Sequence, residues 1–89
     1  MVKRINSYQF TKKFKEKYQT LPKEIQDNFD KKLSLLLADI FHPSLRAKRI
    51  QGTKNRWEGS ITMNYRFTFE LHGGRAIFRT IGTHDILNR

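Results

Sequence analysis

The chain has 89 residues, with 18 Lys and Arg against 8 Asp and Glu, a formal net charge of +10 and no cysteine. Such a length makes one domain, residues 1–89, with a modest core. The composition excludes disulfides and thiolate metal sites, and no apolar run approaches the roughly 20 residues needed to cross a bilayer.

The positive charge points to a polyanion, or to a strongly acidic protein, as partner. The lack of cysteine fits a cytoplasmic address. Met1-Val2-Lys3-Arg4 is not followed by the apolar stretch of a signal peptide, so no targeting segment and no membrane role are expected.

Val2 to Ile5 is apolar and β-branched at alternate positions, which reads as a first strand. Asn6-Ser7 then offers a helix N-cap. Phe10, Phe14, Tyr18 and Leu21 recur at spacings of three and four, one face of a first helix. Lys12, Lys13, Lys15 and Lys17 fall on its other faces, where a solvated surface is favoured over a phosphate-contacting one.

A second helix is expected from Pro22, a residue suited to a first helical turn, with Glu24 there to complement the helix dipole. Ile25, Phe29, Leu33, Leu36, Leu37 and Ile40 form its apolar stripe, and His42-Pro43 ends it. The short link Gln19-Thr20-Leu21 makes the two helices an antiparallel hairpin.

Leu45 to Ile50 is basic, with Arg46, Lys48 and Arg49, and a strand is expected to begin near Ala47. Gly52-Thr53-Lys54-Asn55 is a turn. From Arg56 to Thr62, Trp57, Gly59 and Ile61 alternate with Glu58, Ser60 and Thr62; Met63-Asn64 is the next turn. In Tyr65 to Leu71 the residues Tyr65, Phe67, Phe69 and Leu71 face one way, and Arg66, Thr68 and Glu70 the other. His72-Gly73-Gly74 is a hairpin turn, and Arg75 to Ile81 is the last strand. Its alternation is poorer: Ile77 and Ile81 share a parity with Arg79, while Ala76 and Phe78 take the other. A strand apolar on both faces belongs inside its sheet.

The fold class that follows is α+β. A helical hairpin packs on one face of a small, mostly antiparallel sheet of four or five strands, against the aromatic side of Tyr65–Leu71. Arg66 and Glu58 are left on the opposite, open face.

Taken in order, several segments resemble the RelE/ParE superfamily of toxins from type II toxin–antitoxin systems. They are the helical hairpin, Lys48-Arg49-Ile50-Gln51-Gly52, Trp57-Glu58-Gly59, Asn64-Tyr65-Arg66-Phe67 and the ending Arg79-Thr80-Ile81-Gly82-Thr83-His84. The ending is similar to the YafQ-like branch. The Tyr65-Arg66 strand is closer to RelE and YoeB. The likeness covers nearly the whole chain and implies a single toxin domain.

The resemblance implies an endoribonuclease that cuts mRNA on the ribosome without metal or cofactor. It also implies an acidic or amphipathic antitoxin that wraps the toxin. Where RelE-type proteins carry lysines, this chain has Glu58 and Ser60, and the extra histidines of YafQ-like members are absent. Members of the ParE type inhibit DNA gyrase and cleave nothing. That leaves a gyrase inhibitor, or an inactive basic nucleic-acid-binding relative, as the alternative.

Metal-free cleavage of RNA needs a base for the 2′-hydroxyl, a cation for the phosphorane and an acid for the leaving 5′-oxygen. An imidazole titrates near neutrality, which makes His84 the candidate general acid. Arg66 is the candidate for transition-state stabilisation, because a guanidinium holds two phosphate oxygens in a fork. A cross-strand ion pair with Glu58 or Glu70 is its structural alternative. Arg79 is a second candidate cation. Glu58 is the carboxylate candidate for the base and Lys54 the lysine candidate.

Lys48, Arg49, Lys54 and Arg56 surround the turn beside the site and are expected to contact RNA phosphates. Asp85 neighbours His84, but adjacent residues in extended chain point apart. Trp57 reads as core rather than as a base-stacking surface. His42 and His72 read as surface residues at a helix end and a turn. The acidic residues are too scattered for a metal site.

Overall fold

A computed structural model describes residues 5–83 of the chain. Its elements are β1 (Ser7–Phe10), α1 (Lys12–Gln19), α2 (Lys23–Ala38), a 3₁₀ turn at Pro43–Leu45, β2 (Lys48–Arg49), β3 (Arg56–Ser60), β4 (Tyr65–His72) and β5 (Arg75–Thr83). The five strands form one sheet in the order β1-β5-β4-β3-β2. β1 runs parallel to β5; every other pairing is antiparallel. Both helices lie on one face, as the pattern of aromatic residues requires. Among the described residues no helix is long and apolar enough to cross a membrane.

The core is built where that face meets the helices. Phe67 and Phe69 of β4, Phe78 and Ile81 of β5, and Leu36 of α2 are wholly buried. Phe29 of α2 sits at the centre, its ring 5.3 Å from Phe67, 5.5 Å from Phe14 and 5.9 Å from Phe78. Each such side chain contributes about 1.5–3 kcal/mol on burial. The helices also touch each other in antiparallel sense: the Tyr18 hydroxyl donates to Asp30 at 2.9 Å, and Gln26 donates to the Tyr18 carbonyl at 2.8 Å. Burial, helped by the bond to Asp30, pushes the Tyr18 phenol up to about 12.

The N-terminal expectation needs correction. Ser7–Phe10 is a strand, so Asn6-Ser7 caps no helix; Val2, Lys3 and Arg4 lie outside the described residues. The cap is Thr11, whose hydroxyl oxygen accepts from the Phe14 amide at 3.2 Å while the hydroxyl donates to the Phe78 carbonyl at 3.0 Å. Phe10 therefore enters the core from a strand, pairing with Phe78, and not from the helix. It keeps the apolar spacing of a helical face because a single residue separates strand and helix.

α2 also ends earlier than expected. Asp39 is extended (φ −160°, ψ 105°), and its carboxylate accepts from the Phe41 amide at 2.9 Å. Ile40 is buried from the segment after the helix. His42-Pro43 starts the 3₁₀ turn, with His42 Nδ1 accepting from the Ser44 amide at 3.2 Å.

β5 does lie inside the sheet, between β1 and β4, but it is not apolar on both faces in the way its sequence suggests. Thr68 pairs with Thr80 and Phe69 with Phe78, which leaves Arg79 as an extra residue. This bulge resets the alternation. Ala76, Phe78 and Ile81 all reach the helix side although their spacing is two and then three. At the β4–β5 turn both Gly73 (φ 57°) and Gly74 (φ 95°) adopt left-handed backbone, which a tight hairpin demands.

Candidate active site

The open face is best described as rows across three strands. The first row is Ser60, Arg66 and Gly82; the second is Glu58, Thr68 and Thr80; the third is Arg56, Glu70 and Ile77. Lys48 of the edge strand β2 extends the second row beside Glu58. Register alone fixes these neighbours, since residues paired across a sheet project from the same side.

In the first two rows Arg66 Nε lies 3.6 Å from Glu58 Oε1, and each side chain is only 18% exposed. Arg66 Nη1 donates to the Thr62 carbonyl and, at 3.3 Å, to the Tyr65 carbonyl. The guanidinium is thus held from two sides, by a carboxylate and by the β3–β4 turn. Gly82 places no side chain next to it. Next to Glu58 the Thr68 and Thr80 hydroxyls stand 2.7 Å apart and share one hydrogen bond, with Thr68 buried.

Glu70 organises the third row. Its carboxylate lies 3.0 Å from Arg79 Nη1, 3.0 Å from His72 Nε2 and 3.6 Å from Arg56 Nε. The hydrogen bond with His72, together with the charges of Arg79 and Arg56, holds the Glu70 carboxyl below the usual carboxylate range despite partial burial. Arg79 reaches this carboxylate from the bulge. Among the described residues no three His, Asp or Glu side chains gather into a metal-ligating group.

Comparison with solved structures places this architecture. A chain of the RelB–RelE antitoxin–toxin complex from Methanococcus jannaschii superposes with a TM-score of 0.73, at 21% identity over 89% of this chain and 93% of that one. The fold is that of the RelE-like toxins. YafQ from E. coli strain BL21(DE3) matches with a TM-score of 0.75 at 13% identity, covering 90% of this chain and 94% of its own. The YoeB/ParE toxin from Agrobacterium tumefaciens matches with a TM-score of 0.74 at 15% identity, covering 88% and 98%. No protein-family profile matches the chain, and no curated protein does.

Within the RelE-like fold the sequence candidates separate. Arg66 and Glu58 come together, as the strand parity implied. Arg79 joins Glu70 instead, about three residues along the strands from Arg66. Arg56 shares that carboxylate, and Lys48 is exposed on the open face. Arg49 pairs with Trp57 and so projects to the other side of β2, while Lys54 is exposed in the β2–β3 turn. Trp57 stacks on Phe69 at 6.5 Å and meets the Phe41 ring at 6.2 Å, on the helix side. His84 and Asp85 lie outside the described residues; Thr83, the residue before them, pairs with Tyr65, next to Arg66.

From the sequence, Glu70 is expected only as a partner for Arg66. Its grip on Arg56 was within reach of counting, because pairing across the β3–β4 turn that joins Ser60 to Arg66 also joins Arg56 to Glu70. Its grip on Arg79 was not, because nothing in simple alternation marks the bulge.

Proposed function

We propose that the chain is the toxin of a type II toxin–antitoxin pair and a metal-independent endoribonuclease that cleaves mRNA on the ribosome. The observation that carries this reading is Arg66, pinned between Glu58 and the Thr62 carbonyl on an open, basic sheet face. A guanidinium fixed in this way is pre-organised for a phosphate, so little ordering is left to the moment of reaction. The RelE-like fold supports it, since chains of that fold include the toxins of the RelB–RelE and DinJ–YafQ complexes. By the same likeness the partner is a cognate antitoxin, and the net charge of +10 fits an acidic one.

In this reading the RNA 2′-oxygen attacks the adjacent phosphorus and the 5′-oxygen leaves, producing a cyclic phosphate and a 5′-hydroxyl. Arg66 holds the equatorial oxygens as charge develops on the phosphorane. Glu58, one row away on the same face, takes the 2′-proton; Lys54 is the weaker candidate, because it stands in the turn beyond the third row. His84 follows Thr83 at the Arg66 end of β5 and delivers the proton to the leaving oxygen. Arg79 adds positive charge from the third row. Lys48, Arg56 and Lys54 supply the backbone contacts, and Arg49, on the other side of β2, contributes less.

The deciding experiment is brief induction followed by primer extension on cellular mRNA. Discrete, codon-phased cuts are expected, and an adjacent acidic antitoxin should abolish them. Arrested growth with intact mRNA would reject the nuclease and point to a gyrase inhibitor of the ParE type.

A further inference from the structure

A second feature lies beside the open face. A cleft of about 400 Å³ opens between α2, the 3₁₀ turn and the β3–β4 turn. Lys32 and Arg46 bring two cations to it, Ser44, Ser60 and Thr62 bring hydroxyls, and among the described residues no carboxylate lines it. Lys32 Nζ is anchored by donating to the Ser44 carbonyl at 2.9 Å, leaving two of its protons to offer. Arg46 is exposed and sits at the end of the 3₁₀ turn in left-handed backbone (φ 48°). Met63 at the rim is 85% exposed.

This cleft adjoins Arg66 through two of its lining residues. Ser60 is the cross-strand partner of Arg66, and Thr62, which lines the cleft, accepts the Arg66 guanidinium through its carbonyl. Arg66 and the cleft therefore meet at the β3–β4 turn. In the third row of the open face the cations are already matched by Glu70; in the cleft no carboxylate among the described residues does the same. An anion placed there gains two charge-assisted contacts and displaces no internal ion pair.

We infer that the cleft is a second phosphate subsite, which takes the backbone phosphate neighbouring the one held at Arg66 in a single-stranded RNA. Lys32 and Arg46 neutralise that phosphate, and the Ser60 and Thr62 hydroxyls donate to it; the Ser44 hydroxyl is engaged with His42 Nδ1. Met63 offers a polarizable, apolar contact to the attached base without selecting its identity. The inference rests on the reading of the open face as an RNA-cleaving site, and it fixes the direction in which the strand leaves that site: over the β3–β4 turn toward α2.

The test measures binding of a single-stranded RNA made uncleavable by a 2′-deoxy nucleotide, as a function of salt, by fluorescence anisotropy. Lys32→Gln removes one cation. Arg46→Asn removes the other and retains a residue that tolerates left-handed backbone. Each substitution should lower the slope of log affinity against log salt by about 0.7, and the pair by about 1.4. Melting temperatures of the variants show whether the fold is kept; the two single variants stand in if the double variant unfolds. Unchanged slopes in folded variants, with the wild type still binding RNA, would overturn the subsite and leave the open-face reading intact. A wild type without salt-dependent RNA binding would remove both. Variants that lose polyglutamate binding but keep the RNA slope would assign the cleft to an acidic polypeptide and overturn the inference.

Discussion

Arg66 Nε stands 3.6 Å from Glu58 Oε1, and both side chains are largely shielded from solvent. The contact gives the two residues different expected failures. Arg66→Lys keeps the charge but loses the fork and the bond to the Thr62 carbonyl, so cleavage should fall about 10²–10³-fold, as when a transition-state donor is removed. Glu58→Gln keeps the shape and loses the base, with a loss of about 10²–10⁴-fold. RNA affinity should not fall in Glu58→Gln, because a negative charge leaves the face. Single-turnover cleavage and binding on the purified variants separate these outcomes. A harmless Arg66→Lys would make the pair purely structural.

His84→Ala should slow cleavage by about 10²–10⁴-fold with little change in RNA affinity, because the basic residues that hold phosphate remain. The core of the described residues runs from Ile5 to Ile81 and is untouched by the substitution, so the melting temperature should stay near that of the wild type. Wild-type cleavage by His84→Ala would remove the histidine from the mechanism and leave the leaving group to another acid.

The β2 register makes a directional prediction for RNA binding. Lys48 pairs with Glu58 on the open face, whereas the adjacent Arg49 pairs with Trp57 and points to the helix side. Lys48→Gln should reduce the salt slope of RNA binding by about 0.7, and Arg49→Gln should reduce it less. Equal effects would mean that the strand wraps around the β2 edge and does not lie flat on the sheet.

Much of this site was legible before the fold was seen, for a definite reason. β3 and β4 alternate cleanly, so parity alone put Glu58 with Arg66 on one face and Phe67 with Phe69 on the other. Two things escaped. β1 is four residues long with a single residue before α1, and Phe10 satisfies both a strand face and a helical stripe, so the apolar spacing could not place the boundary. In β5 the bulge at Arg79 shifts the parity halfway along, so Phe78 and Ile81 share a face that their spacing denies them. A strand bulge depends on its partner, and a single strand's sequence does not record it.

Gly59 pairs with Phe67 on the helix side, where a Cβ would come 2.4 Å from the Phe67 ring. The ring is wholly buried, so it must press on its neighbours to give way. Gly59→Ala should therefore cost about 1–3 kcal/mol, an overpacking penalty, even though alanine suits a strand at least as well as glycine. Phe29→Ala, which empties the centre of the core, should cost about 3–5 kcal/mol. Chemical denaturation compares the two. A neutral Gly59→Ala would show that the sheet can spread at β3 without disturbing the helices.

Glu70 gives the fold a dependence on acid. Its carboxyl is held below the ordinary range by His72, Arg79 and Arg56, so the folded chain binds a proton there less readily than the unfolded one. The stabilisation from this depressed value is present above the unfolded glutamate value, about 4.3, and disappears as pH falls through the lower folded value. Glu70→Gln should thus melt below the wild type at neutral pH, and the two should converge in acid. Salt should narrow the gap, since Arg56 and Arg79 are about half exposed. The same variant releases two guanidinium groups on the open face. Its affinity for RNA should rise and its salt slope steepen, opposite in sign to the loss of stability. Melting temperatures across pH, set beside RNA titrations, check both halves. A variant that is less stable at neutral pH but binds RNA no more tightly would place the third row outside the path of the RNA.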